Sequence, residues 1–256
     1  MRAKPFFKTR FRIKAGEGQD HWIGGTWPGK VADCPVCGQA LLLIMDFNCE
    51  SSSLRKAARG KLKAIRRLPL FACLKCLAEL SYRVDEKLNV KVVFARHGSE
   101  GPSWWYEPYP QSFERKPVVL DSEIPEEVFE AIEAWKPSDI GHRRLAKKHV
   151  RVLEEFFQHP MFMLRDLYFH QIGGMALIEI WDEEAFACRA PRCPGRELKV
   201  GRPMRFLAGV LNDPPGGLPL YEELDEKTAK SWNYGISHYW QICDKCLSIT
   251  TFSTCD

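Results

Sequence analysis

Eight of the ten cysteines stand in four close pairs, and that spacing constrains the fold more than any other feature of this 256-residue chain. The pairs are Cys34 and Cys37 in "CPVCG", Cys73 and Cys76 in "CLKC", Cys188 and Cys193 in "CRAPRC", and Cys243 and Cys246 in "CDKC". Two thiols this close sit on one tight turn and aim their sulfurs at a common point, and Gly38 after Cys37 can take the positive φ such a turn often needs. The compartment decides between disulfides and metal. The opening "MRAKPFFKTRFRIKAG" carries charges where an export signal needs an apolar run. No stretch approaches the roughly 18 consecutive apolar residues of a membrane span. A cytoplasmic chain is therefore expected, and in a reducing cytosol clustered cysteines read as metal ligands, with zinc the leading metal.

Two pairs per half make two sets of four: Cys34, Cys37, Cys73 and Cys76, then Cys188, Cys193, Cys243 and Cys246. Four thiolates are what a closed tetrahedral zinc site takes, so two Zn2+ per chain are expected. Such a site carries a net double negative charge, and Lys75, Lys245, Arg189 and Arg192 lie within the pairs to offset it. Cys49 and Cys255 have no mate at ligand spacing and read as ordinary thiols.

The cysteines belong to a longer recurrence. His21-Trp-Ile-Gly-Gly25 returns as His170-Gln-Ile-Gly-Gly174, the Cys34/Cys37 pair as Cys188/Cys193, Ala40 to Asn48 as Met204 to Asn212, and "CLKC" as "CDKC". The offsets are 170 − 21 = 149, 188 − 34 = 154, 204 − 40 = 164 and 243 − 73 = 170, a steady rise that indicates a tandem duplication with longer loops in the second copy. "ALLLIMDFN" and "MRFLAGVLN" are strand-length apolar runs leaving the first knuckle of each copy, while "LPLFAC" and "HYWQIC" enter the second. Strand resumes after each second knuckle, in "AELSYRVDEKLNVKVVFAR" with a hairpin turn at "DEKLN", and in "LSITTFSTC". The sheets of 21 to 84 and 170 to 255 are expected to superimpose, with their knuckles at equivalent ends.

Between the copies lies a proline- and aromatic-rich stretch at 101 to 113, then the short strand "KPVVL". Ser122 and Pro125 open a helix over "EIPEEVFEAIEAW", with acidic residues in its first turn, and a second helix is expected from 138 or 139 through "HRRLAKKHVRVLEEFF". The expected fold is α+β and mostly antiparallel β, with two pseudo-symmetric sheet-rich halves, each clasped by a zinc ribbon-like site, and a helical connector. The corresponding segments are a first repeat at 1 to 120, the connector at 121 to 160 and a second repeat at 161 to 256.

Catalytic signatures are missing. The double glycines lack the spacing of a phosphate loop or a dinucleotide fingerprint, and neither HExxH nor GxSxG occurs. His21 and His170 read as hydrogen-bonded loop supports, the alternative being ligand contacts. The acidic pairs Glu126/Glu127 and Glu222/Glu223 read as solvated faces, so no enzyme is expected. Hydrophobic residues at 45% and charged residues at 27% are globular proportions, and a net charge of +4 permits an acidic partner without demanding one. The segment 54 to 68 is locally basic, with Arg55, Lys56, Arg59, Lys61, Lys63, Arg66 and Arg67 and no acid. It is either a solvated face or a contact for RNA or an acidic protein surface. Trp104, Trp105, Tyr106 and Tyr109 either extend such a surface by stacking or pack over their own domain.

"HWIGGTWP…CPVCGQALLLIMDF" and "HQIGG…CRAPRC…PMRFLAGVLND…YWQICDKC" resemble the YwqG-like family of bacterial proteins of unknown function, whose pattern joins Ile-Gly-Gly, paired cysteines and a Met-x-Phe-Leu-x-Gln strand. The family's strand glutamine is replaced by Met45 and Gly209, and Ala176 stands where a proline follows the second double glycine. "CPVCGQALLLIMDFN" with "RRLPLFACLKC" is also similar to the amino-terminal half of the programmed cell death protein family, whose members act as chaperones for a small-subunit ribosomal protein. That resemblance implies protein binding and no catalysis. The expectation is a zinc-binding protein-interaction or chaperone-like module that captures a ribosomal or other basic or acidic protein, the alternative being a zinc-ribbon nucleic-acid binder that uses 54 to 68.

Overall fold

The computed structural model describes residues 6–7, 9–58, 62, 65–97, 109, 111–121, 125–134, 146–157, 170–174, 187–196, 203–210 and 236–255. The strands are β1 (Arg10–Ala15), β2 (His21–Ile23), β3 (Leu42–Asn48), β4 (Arg67–Ala72), β5 (Glu79–Val84), β6 (Val90–Arg96), β7 (Lys116–Leu120), β8 (Gln171–Gly173), β9 (Met204–Val210), β10 (Ile236–Cys243) and β11 (Ile249–Cys255). The helices are α1 (Ser52–Ala58), α2 (Glu126–Ala134) and α3 (Lys147–Phe157). The eleven strands among the described residues join one antiparallel sheet in the order β4-β3-β2-β7-β1-β8-β9-β10-β11-β5-β6. The mostly antiparallel α+β class expected from sequence is thus the class observed. Ile23, Met45, Phe47, Leu68 and Leu70 of the first copy share one apolar cluster with Ile172, Ala208, Trp240 and Ile242 of the second.

The duplication shows in the register. Trp22 faces Asp46 and Asp46 faces Pro69 in one copy; Gln171 faces Gly209 and Gly209 faces Tyr239 in the other. Asp46 therefore corresponds to Gly209, an offset of 209 − 46 = 163, one residue less than the 164 read from the apolar runs. The cause lies in those runs, which are apolar on both faces and so do not fix register by alternation. Both copies also carry a bulge at the same place, past Ile44 in β3 and past Leu207 in β9.

The copies exchange their leading strands. β1 opens the first copy but pairs with β8 of the second, while β7, which precedes the second copy, pairs with β2 of the first. The two then pair with each other through Ile13/Leu120, Lys14/Val119 and Ala15/Val118, which puts a local two-fold between them. The double glycines accommodate this exchange. Gly24 and Gly173 have φ of 64° and 73°, and a Cβ at either would overlap the carbonyl oxygen of Glu114 or of Thr9 on the incoming chain. The amide of Gly25 donates to the Phe113 carbonyl at 3.0 Å and that of Gly174 to the Phe7 carbonyl at 2.9 Å, so the strand entrances match as well.

Superposition of 21 to 84 on 170 to 255 holds for three strands and fails at the fourth. β10 turns through its knuckle and pairs with β11 as a hairpin; β4 turns through the equivalent knuckle, but β5 leaves it and pairs with β11 instead. Side chains occupy the β4 edge that β5 abandons. The buried Tyr82 hydroxyl donates to the Pro69 carbonyl at 3.0 Å and accepts from the Phe71 amide at 2.9 Å, and Trp240 Nε1 donates to the Phe71 carbonyl at 2.9 Å. These bonds curl the sheet on itself and satisfy an edge that would otherwise be a template for aggregation.

The hairpin expected at "DEKLN" forms: Asp85 Oδ1 accepts from the amides of Lys87 and Asn89, each at 2.8 Å, between β5 and β6. α2 starts after Pro125, with Glu126 and Glu127 in its first turn, as expected. α3 lies within the second expected helix, whose beginning at 138 or 139 is outside the described residues.

Candidate metal centres

Both four-cysteine sets assemble, each with its sulfurs within 4.8 Å of one another. The first lies at one end of the β3–β4 pair. Its knuckle is a turn in which the Gly38 amide donates to the Cys34 carbonyl at 2.8 Å with Gly38 at φ 75°. The second knuckle reaches the same geometry without glycine, since the Leu77 amide donates to the Cys73 carbonyl at 3.1 Å with Leu77 at φ 50°. Leu247, at φ 58°, does the same over Cys243 at 3.0 Å. In the looser "CRAPRC" the positive φ, 61°, falls on Arg192.

The sulfur spacing tests the fit to a metal. Four thiolates around one ion at about 2.3 Å form a tetrahedron with edges of about 3.8 Å. Cys34–Cys76, Cys37–Cys73 and Cys73–Cys76 are 3.6, 3.5 and 3.5 Å apart, and Cys188–Cys246 and Cys193–Cys243 are 3.6 and 3.7 Å. None of these cysteines is in a disulfide. Both sets can therefore hold a metal ion, and with four protein sulfurs in place neither has a ligand position left for substrate. Burial, with the neighbouring sulfurs, works against charged thiolates and pushes Cys37 and Cys193 up to about 11. A divalent cation reverses that balance and displaces the protons.

The surroundings differ between the two sites. Ser248 Oγ lies 3.2 Å from Cys188 Sγ and 3.1 Å from Cys246 Sγ, where the first copy has Ala78 (248 − 170 = 78). Arg83, on β5 of the first copy, lies close enough to Cys246, and behind it Cys188 and Cys193, that the sulfur cluster raises its pKa. A guanidinium from one repeat thus offsets the thiolate charge of the other. At the first site the Tyr109 hydroxyl accepts from the Leu74 amide at 3.2 Å, and burial beside Cys73 and Cys37 raises its pKa.

Of the cations expected to offset the thiolates, Arg189 is 3.6 Å from Glu79 and over the Phe94 ring, and Lys245 is 3.7 Å from Asp244. Arg83 and Ser248 were not apparent from sequence. Ser248 could have been found by aligning "CLA" with "CLS", whereas nothing in the sequence pointed to the β5–β11 pairing that delivers Arg83.

Cys49 is buried, its thiol pushed up to about 12 by that burial, and no metal-binding set among the described residues includes it. Cys255 ends β11. His21 is buried, accepts from the Asn48 amide on Nδ1 at 3.2 Å, and has its pKa lowered by burial. His170 is buried as well, and its carbonyl accepts from the Ile13 amide at 2.9 Å. Arg55 and Lys56 point outward from α1, which buries Leu54, Ala57 and Ala58, and Arg66 is exposed. Arg67 differs from these. It is ion-paired to the buried Asp46 and its guanidinium lies 5.0 Å from the centre of the Trp27 ring. Arg59, Lys61, Lys63, Trp104, Trp105, Tyr106 and the acidic stretch around Glu222 and Glu223 are outside the described residues.

No helix among the described residues is long and apolar enough to cross a membrane. No family model, curated protein or solved structure matches the chain.

Proposed function

We propose that this chain is a binding module that captures a partner protein, with two structural zinc ions fixing the shape of its sheet. The observation that carries the reading is the closure of both centres: four sulfurs at tetrahedral spacing fill an ion's coordination and leave it nothing to polarise. Zinc suits an all-thiolate tetrahedron, and the free thiols fit a reducing, cytoplasmic setting. The resemblance to ribosomal-protein chaperones supports a chaperone-like role and rests on analogy. A second reading, nucleic-acid binding, draws on the exposure of Arg55, Lys56 and Arg66 near one end of β3 and β4.

Affinity capture with the tagged, zinc-loaded chain separates the two. A stoichiometric protein complex that persists after nuclease treatment supports the module. Capture abolished by nuclease, with binding that falls steeply as salt rises, favours the nucleic-acid reading.

A further inference from the structure

The local two-fold relates two arginines whose surroundings differ. Arg10 lies opposite Gly173 at the entrance of β1, and Arg115, just ahead of β7, occupies the equivalent position opposite Gly24. A Cβ at Gly174 would meet the Arg10 side chain, and one at Gly25 would meet that of Arg115, so both arginines lie over a double glycine. Because Lys14 faces Val119 across the two-fold, Arg10, Arg12 and Lys14 share one face of the sheet with Arg115, Pro117 and Val119.

In the second copy the chain supplies a partner for this face. Glu126, in the first turn of α2, reaches Arg10 at 3.6 Å, and Phe156 of α3 lies under the Arg12 guanidinium at 5.7 Å. Arg10 keeps 12% of its side chain exposed. Among the described residues nothing comparable reaches the first copy's face. Arg115 is exposed, and its guanidinium lies on the Trp22 ring, 3.9 Å from the centroid, with no carboxylate partner among the described residues. Beside it is Arg67, over the Trp27 ring and paired with Asp46. Glu114 lies 3.8 Å from Lys116, so those two largely cancel. Two guanidinium groups thus stand against one buried carboxylate, each held over an indole ring, which lowers the entropy lost when they bind an anion.

We propose that the face built by Trp22, Arg67, Arg115 and Pro117 binds an acidic amphipathic helix of a partner protein, which places carboxylates on Arg115 as α2 places Glu126 on Arg10. This rests on the binding-module reading and specifies its surface. The ligand's chemistry follows from charge complementarity and from the occupant the chain itself provides at the related position.

The probe is a fluorescein-labelled peptide with the sequence of residues 121 to 134, DSEIPEEVFEAIEA, titrated into the full zinc-loaded chain and read by anisotropy. Saturable binding is expected. It should weaken at least tenfold with Arg115→Glu, stay within twofold with Lys148→Glu on α3, which covers the other copy's face, and vanish when the peptide's acids are replaced by their amides. An unchanged thermal midpoint for Arg115→Glu shows that folding is intact, as its exposure leads one to expect. Absence of saturable binding, or binding indifferent to Arg115→Glu, overturns the proposal. So does an oligothymidylate that displaces the peptide through Arg115 and binds more tightly, because the site then prefers phosphate. A nuclease-resistant protein complex that ignores Arg115→Glu leaves the module standing and removes this surface from it.

Discussion

Removing one oxygen atom tests how the sheet closes on itself. Tyr82 is fully buried on β5, and its hydroxyl serves two backbone groups of β4, the Pro69 carbonyl at 3.0 Å and the Phe71 amide at 2.9 Å. In Tyr82→Phe the ring keeps its edge-on contact with Phe71, centroids 5.8 Å apart, so little apolar packing changes. Two polar groups are left without a partner in a dry interior, and each costs about 1–3 kcal/mol. The variant should therefore lose at least about 2 kcal/mol. At about 2–4 °C per kcal/mol for a chain of this size, the thermal midpoint should fall by roughly 4–8 °C. The assay is thermal unfolding of both proteins at equal zinc loading, with metal content measured before the scan. A shift below about 1 °C would mean that Tyr82 does not cap β4 and that the curl is held by apolar packing alone.

Cys76→Ser should remove one metal equivalent, lower the thermal midpoint and open the first copy to protease, whereas Cys49→Ala should keep both equivalents; equal metal loss in the two variants would contradict the assignment of ligands. Gly173→Ala must overcome both a φ of 73° and overlap with the Thr9 carbonyl, so it should destabilise by several kcal/mol, while Gly38→Ala has open space and should cost only about 1–2 kcal/mol; equal midpoints would refute the close-approach role. His238 is buried with its pKa lowered to about 4, below an unfolded value of about 6.5, so its contribution is complete above pH 6.5 and is lost as pH falls toward 4. Urea titrations should show a loss of about 1 kcal/mol between pH 7 and 5.5 that is absent in His238→Phe. A variant that follows the wild-type profile would sink that attribution.

The sequence was informative where the signal is local. Four short cysteine spacings, the double glycines and the apolar runs sufficed for both metal sets, for the β3–β4 and β9–β10 pairs and for the repeat itself. Three things needed the folded chain. The leading strands share little more than a phenylalanine and an arginine, in Phe7–Arg10 and Phe113–Arg115, too little to reveal that they belong to the repeat or that they cross over. The departure of β5 to β11 is a pairing across some 170 residues, joined by Ser81 and Thr250 hydroxyls at 2.7 Å, and no local pattern encodes it. Arg67 reads as one cation among several in a basic run, and only the β3–β4 register brings it to Asp46.

X-ray absorption at the zinc edge, on protein expressed without added metal, reaches the central claim most directly because it reports the metal and its ligands together. Two zinc equivalents per chain, each with four sulfurs at about 2.3 Å and no nitrogen or oxygen in the first shell, are the predicted result. Fewer than one equivalent in folded, reduced protein, or a light-atom ligand holding an open position, would contradict the account of two closed structural sites.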